Sequence, residues 1–406
     1  MPTKKLSLDA QLARHVQHAY AHAPGIKKIF DAAGVKPAQI KRVADLERVP
    51  VTSKDQLAEL QKQNPPFGGF LAVDAQKLKH IFLSPGPLYE PHGAEKALAT
   101  VFTNVFRVAG FKRGDVVLNT LSYHLVPAGL LLDHALQSVG ATVVPSGVGN
   151  TELQVKLMLD LRVNGYAGTP SFLMTLIKKA EEMGLDFKKN FTLSHTLFSA
   201  EPYFPSLRAQ LEGAYGLKTM NVYATAELGA LAYDTPDKSA LQLVDGAVIE
   251  LVDRDTGKRV GARAPGEVVV TTFNETYPLI RLGTGDMAVY TDDSLKNILL
   301  VGRAGEAVKV RGMFVHPNQL KLAASKFPAI ARVQGVVTRP DKLRDDFALK
   351  VELADESAPA DREKLRAEYS AAVQGVCRVS VDRVEFIAKG SLPENARGMV
   401  DERKWE

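Results

Sequence analysis

Apolar residues recur at three- and four-residue spacing at the start of the chain, with Leu8, Leu12, Val16, Ala19 and Tyr20 on one face. This predicts helix over residues 8–34, interrupted at Pro24-Gly25. From about residue 94 the pattern alternates between helix-period and strand-like runs. Helices are expected over 94–110, 128–139, 151–163, 170–184 and 205–215, with strands at 116–121, 141–145, near Tyr166, at 196–199 and at 219–223. Strands separated by helices of about 10 to 15 residues predict a parallel sheet covered on both faces.

After residue 241 the texture changes to short alternating runs at 247–252, 267–272 and 287–290, with turns such as Asp255-Thr256-Gly257. A β-rich subdomain is expected there. Beyond Gly302-Arg303 the pattern changes again. Strands near 307–310 and 313–315, helix 317–327, strands 331–338 and 347–353, helix 359–374 and strand 379–387 approach a split βαβ unit of about 100 residues. The fold class is therefore α/β. A large N-terminal domain over 1–303, with βα-layered sheets and the β-rich subdomain, precedes a small α+β domain over 304–406.

Composition narrows the function. The chain has 406 residues, 45% hydrophobic and 24% charged, a balance that suits a soluble globular protein and excludes disordered, collagen-like and coiled-coil classes. No apolar run approaches the roughly 18 residues of a membrane span, and the opening Met1-Pro2-Thr3-Lys4-Lys5 leads into a polar, His-rich helix. A cytoplasmic protein without a membrane partner is expected. The single cysteine, Cys377, excludes an internal disulfide framework and a thiolate zinc site. Lys and Arg exceed Asp and Glu by 51 − 46 = 5, but the basic residues are dispersed and not interleaved with aromatics. That suits an anionic small molecule better than nucleic acid. His15, His18 and His22 share helical spacing, yet no carboxylate or cysteine joins them at ligand spacing, which favours a solvated face over a metal site. A nicotinamide or flavin Rossmann enzyme is disfavoured, because no Gly-x-Gly-x-x-Gly follows the first strand.

Five segments carry a family resemblance. Asn221-Val222-Tyr223-Ala224-Thr225-Ala226-Glu227-Leu228-Gly229 resembles the Tyr-Gly-x-x-Glu motif of adenylate-forming enzymes. Tyr277-Pro278-Leu279-Ile280-Arg281-Leu282-Gly283-Thr284-Gly285-Asp286 is similar to the Pro-Leu-Ile-Arg-Tyr-x-Thr-Gly-Asp segment of phenylacetate-CoA ligases. Gly302-Arg303 with the run Lys309 to Pro317, Gly168-Thr169-Pro170-Ser171, and Ala200-Glu201-Pro202 match in order and spacing. The likeness spans nearly the whole chain, including the opening helix and Val49-Pro50-Val51-Thr52-Ser53-Lys54.

The resemblance implies a two-step reaction, with ATP, Mg²⁺ and coenzyme A as cofactors and a small-molecule carboxylic acid, aromatic or related, as substrate. It also implies a homodimer. Under it, Glu227 is the Mg²⁺ ligand, and Glu227, Lys309 and Arg397 are catalytic. Asp286 accepts from the ribose hydroxyls and Arg303 adds a donor. Tyr223 stacks on adenine, Ala200, Glu201 and Pro202 read the base edge, and Ala224 and Thr225 complete the nucleotide site. Tyr123, His124, Gly147, Gly168, Thr169 and Phe172 are expected around the acyl group. Read without the motifs, Glu227 is an ordinary helix-capping or surface glutamate, Asp286 an ordinary turn residue and His124 a structural histidine at a strand end.

Three departures from the family pattern keep a second class open. The phosphate loop is Ser84-Pro85-Gly86-Pro87-Leu88-Tyr89-Glu90-Pro91. Three prolines remove amide donors, leaving Ser84, Gly86 and Tyr89 as candidates for phosphate contact. In Leu392-Pro393-Glu394-Asn395-Ala396-Arg397 the family's adenylation lysine becomes Arg397, a planar fork in place of a compact ammonium, with Asp401 and Arg403 following and Lys404 out of register. At the hinge, Gly305 followed by Glu306 replaces the family's acidic residue. The alternatives are a homologue that binds nucleotide or acyl-adenylate without turnover, or an adenylating enzyme with a non-CoA acceptor.

Overall fold

The computed structural model describes residues 6–84, 87–93, 97–303, 308–311, 313–315, 317–340, 344–354, 362–377, 379–393 and 396–403. The chain divides into two compact units, Met1–Ala304 and Gly305–Glu406.

In the first unit, strands Val116–Asn119, Thr142–Val144, Gly165–Gly168, His195–Phe198 and Lys218–Thr225 pair in parallel. Alternate side chains of these strands serve opposite faces. Leu118, Tyr166 and Phe198 pack with helices Thr151–Asp160 and Pro170–Glu182, while Val117, Ala167 and Leu197 pack with Ala97–Val108 and Ala128–Val139. Both faces are buried, which is why these strands read as short apolar runs without polar alternation.

The β-rich region is not a separate layer. Lys218–Thr225 turns directly into antiparallel Gly229–Asp234, and the ladder runs on through Leu241–Leu243, Asn297–Arg303, Leu282–Tyr290, Pro265–Thr272 and Ala247–Val252. One 12-stranded sheet results, which also takes in Thr52–Ser53 beside Leu282–Tyr290. A three-residue turn can join antiparallel strands but not parallel ones, so the change of strand direction at residues 226–228 unites what the sequence pattern separated.

The predicted opening helix is two helices, Leu8–His22 and Pro24–Ala32, with the break where Pro24-Gly25 places it. His15 departs from the solvated-face expectation. It is buried edge-on against Phe273, and burial pushes its pKa down to about 4. Among the described residues no group of three or more His, Cys, Asp or Glu is arranged to hold a metal, and no helix is long and apolar enough to cross a membrane.

In the second unit, strands Arg383–Ile387, Asp346–Leu353, Ile330–Thr338 and Met399–Asp401 form a sheet in that order. Leu320, Leu365, Tyr369 and Val373 from helices Pro317–Ala324 and Arg362–Cys377 pack against its Val337, Leu349 and Val351. The edge strand Met399–Asp401 has only three residues and was not legible as a strand. Cys377 is buried in this core, and burial pushes its thiol up to about 12.

Candidate active site

Parallel pairing brings the carboxyl ends of strands 116–119, 165–168, 195–198 and 218–225 to one edge, where open α/β sheets bind ligands. The segments that follow these ends carry Tyr123, Thr169, Ala200 and Glu227.

Glu227 sits in the three-residue turn closed by the Thr225↔Gly229 pair, with Gly229 in the left-handed region (φ 74°) that such a turn requires. Its side chain is 4% exposed, and Lys54 Nζ lies 2.9 Å from each carboxylate oxygen. Two local devices place Lys54. Thr52–Ser53 pairs beside Leu282 and Gly283, and Ser53 caps helix Lys54–Gln63 in a capping box with Gln56. Burial pushes the Glu227 carboxyl up, but the charge and hydrogen bonding of Lys54 outweigh burial and hold it below the usual carboxylate range.

Tyr223 and Asp286, far apart in sequence, meet in the fold. The Tyr223 hydroxyl donates to Asp286 Oδ2 at 2.7 Å, and the Asp286 amide donates to Thr284 Oγ1 at 3.0 Å. Asp286 lies opposite Arg303 in the pairing of the two strands. The turn at Gly285 (φ 76°) is tied down by its amide bond to Glu267.

Ala200 is held at φ 73°, uncommon for a residue with a Cβ. Glu201 then turns back to helix Pro170–Glu182, where its carboxylate accepts from the Ser171 amide at 2.6 Å and the Ser171 hydroxyl at 2.9 Å. Thr169 caps the same helix by accepting from the Phe172 amide. A Cβ at Gly168 would collide with the Thr120 hydroxyl and Tyr166, so only glycine fits that strand end.

Asn119 ties together Tyr123, Gly129 and Gly147 and was missed by sequence reasoning. Its side-chain amide donates to the Tyr123 hydroxyl at 2.8 Å and to the Gly129 carbonyl at 2.9 Å, and its own carbonyl accepts from the Gly147 amide at 3.1 Å. The Tyr123 hydroxyl donates to Asp133 at 2.9 Å. Burial, helped by Asp133, pushes the Tyr123 phenol well up, so it remains a neutral ring anchored at its polar end. His124 is exposed, with its amide bonded to Ser122.

The expected phosphate loop is a β-hairpin. His80–Ser84 pairs with Leu88–His92 in register Ser84↔Leu88, Leu83↔Tyr89 and Phe82↔Glu90. Pro85 and Gly86 lie outside the described residues. Ser84 and Glu90 share the buried face, while Tyr89 takes the exposed one and is held through its backbone by Gln61. Burial, reinforced by the Glu227 charge, pushes the Glu90 carboxyl up to about 8.

Lys309 and Arg397 belong to the second unit. Lys309 is in strand Val308–Val310, opposite Phe314. Arg397 is exposed, and its segment is tied to strand Ile330–Thr338 by Arg332 donating to the Leu392 and Pro393 carbonyls and Gln334 donating to the Arg397 carbonyl. Gly305, Glu306 and Lys404 lie outside the described residues.

The AMP-binding enzyme family matches residues 91–274. Phenylacetate-coenzyme A ligase of Aromatoleum evansii is 30% identical over 90% of this chain and 88% of its own. The enzyme of the same name from Escherichia coli is 27% identical over 94% and 90%. Among solved structures, 2-hydroxyisobutyryl-CoA ligase in complex with 2-HIB-AMP and CoA superposes with a TM-score of 0.89 at 26% identity, covering 98% of this chain and 89% of that one.

Proposed function

The chain belongs to the phenylacetate-CoA ligase family of AMP-binding enzymes, and from that premise we propose which of its residues perform ATP-dependent activation of a carboxylic acid and transfer to coenzyme A. In the first step an acid oxygen attacks the α-phosphorus of ATP, forming acyl-adenylate and releasing pyrophosphate. In the second, the CoA sulfur attacks the acyl carbon, AMP leaves with the bonding pair, and the thiol proton passes to solvent. The enzyme's task is to hold charged reactants in line.

The observation that carries the assignment is the Tyr223–Asp286 hydrogen bond at the strand edge that also bears Glu227. Asp286 accepts from the ribose hydroxyls, with Tyr223 fixing its carboxylate and lending its ring to adenine. Ala200, Glu201 and Pro202, pinned through Ser171, border the base, and Ala224 and Thr225 complete that wall.

The buried, ionised carboxylate of Glu227 fits a hard divalent cation, which takes oxygen ligands. Glu227 holds Mg²⁺ in this reading. A Mg²⁺ held by Glu227 would supply neutralisation of the phosphate charge. Lys54 keeps the Glu227 carboxylate charged and oriented. Arg397 and Lys309 are the catalytic cations in this reading.

Tyr123, Gly147, Gly168, Thr169 and Phe172, with His124 at the rim, surround the acyl group. An aromatic or similarly compact acid suits the Tyr123 and Phe172 rings. On the same family reading the chain is proposed to work in the cytoplasm as a homodimer, an association that sedimentation tests.

Pyrophosphate release from ATP and Mg²⁺ across a panel of aryl and short acyl acids, with CoA present and absent, tests the function. Release that requires one acid, and an acyl-CoA product that requires CoA, is the expected result. Nucleotide binding with no pyrophosphate from any acid overturns it in favour of a binding homologue, which Arg397 at the lysine position would then explain.

A further inference from the structure

We propose that the groove between the hairpin 80–92 and helices Ala97–Val108 and Ala128–Val139 is a second anion site, which binds the phosphate groups of a nucleotide-type small molecule. None of the residues assigned above to the reaction lines this groove, and the inference does not rest on the acid-CoA ligase reading.

Local periodicity builds the groove. His80 and His92 pair across the hairpin and Phe82 lies two residues beyond His80, so the three share one face. The Phe82 ring stacks on His80 at 5.5 Å and stands edge-on to His92 at 4.9 Å, which backs both imidazoles with an apolar ring. On the two helices, which pack side by side, Thr100, Thr103 and Arg107 recur at three- and four-residue spacing, as do Leu131, His134 and Ser138. Each set is one helix face. Both faces meet the hairpin around a space of about 760 Å³, within the ~300–1,000 Å³ range of small-molecule sites.

The charge of the groove has one sign. Lys79, Arg107 and three histidines line it, and no lining side chain is a carboxylate. Asp133, on the second helix, is buried and taken up by Tyr123 and Gln137. Among the described residues neither Lys79 nor Arg107 forms an ion pair, and the Arg107 guanidinium meets the Asn104 side-chain oxygen at 3.4 Å. Cations without counter-charge beside low-dielectric walls focus a positive potential into a cleft. The arginine fork suits phosphate oxygens and the lysine adds a point charge, while Phe82, Leu130 and Leu131 offer apolar surface to a base. An ordinary solvated basic surface needs no such apolar lining, and an apolar peptide groove would not gather two unpaired cations.

Adenosine 3′,5′-bisphosphate is the probe, titrated calorimetrically into the full chain. Both cations are exposed, so Lys79→Glu combined with Arg107→Glu is expected to keep the melting temperature and to weaken binding about tenfold or more. The single variants Lys79→Ala and Arg107→Ala replace the double one if it does not fold. Wild-type affinity in these variants overturns the proposal, as does a wild-type protein that does not bind the probe. The two sources of such a ligand are then told apart by kinetics. A KM for CoA that rises in the variants, with that for dephospho-CoA unchanged, makes the phosphorylated end of CoA the occupant. An unchanged KM for CoA alongside lost probe binding makes it a free nucleotide.

Discussion

Lys54 Nζ stands 2.9 Å from both oxygens of the Glu227 carboxylate, joining the first residue of a helix to a hairpin turn 173 residues further along the chain. Removing one partner of a buried pair strands the other charge, at a cost of about 3–5 kcal/mol. Lys54 is 23% exposed, so the lower end applies. Lys54→Met is expected to destabilise the protein by ~3 kcal/mol in urea unfolding and to raise the KM for MgATP. Lys54→Arg should recover part of both, and full activity in Lys54→Met would remove Lys54 from the site.

Tyr223 and Asp286 divide one hydrogen bond between them, and the two single variants separate their tasks. Tyr223→Phe keeps the ring and loses the bond, with an expected stability loss of ~1 kcal/mol and a several-fold rise in the KM for ATP. Asp286→Asn loses the charge that receives the ribose hydroxyls and should cost more than Tyr223→Phe. Equal ATP affinities in wild type and both variants, measured by calorimetry, would place the nucleotide elsewhere.

Arg397 is exposed and its segment is held through backbone carbonyls, so its side chain is not needed for folding. Arg397→Ala is expected to leave the melting temperature unchanged and to slow acid-dependent pyrophosphate exchange at least tenfold. Arg397→Lys should retain or raise that rate, because a compact ammonium suits a tight phosphate contact. A rate unaffected by Arg397→Ala would release this residue from adenylation.

Asn119 holds Tyr123 and Gly147 from a fully buried position. Asn119→Ala leaves the Gly129 carbonyl without its donor and frees the Tyr123 ring. A loss of about 2 kcal/mol is expected, with the KM for the acid rising more than the KM for ATP. The reverse order would assign Asn119 to the nucleotide side.

His15 gives a pH signature. Burial lowers its folded pKa to about 4 from 6.5, so between those values the unfolded chain binds the proton and the native one does not. The contribution to stability is present above about pH 6.5 and is lost as pH falls toward 4, amounting to at most ~3 kcal/mol. His15→Leu should flatten the acid side of the stability curve in that window relative to wild type. Parallel curves would mean that His15 is protonated in the folded state.

Local pattern alone was enough for the βα alternation, because both faces of the parallel strands are covered and leave apolar runs that need no partner to be recognised. It also singled out Tyr223, Glu227 and Asp286 as candidates, because their motifs are contiguous segments. It did not reveal the hairpin at 80–92, where three prolines looked like loop and the pairing of His80–Ser84 with Leu88–His92 is a matter of register. Nor did it reveal that the β-rich region continues the same sheet.

Lys54, Glu90 and Asn119 are ordinary residues in one dimension. Lys54 could be read as part of a family segment, but its partner lies on another strand edge, and Glu90 is marked only by its burial. Residue type and spacing determined which chemistry this chain carries. Which charges meet, and which are left wanting a ligand, was decided only by folding, because burial and Coulomb energy depend on distances in space and not along the chain.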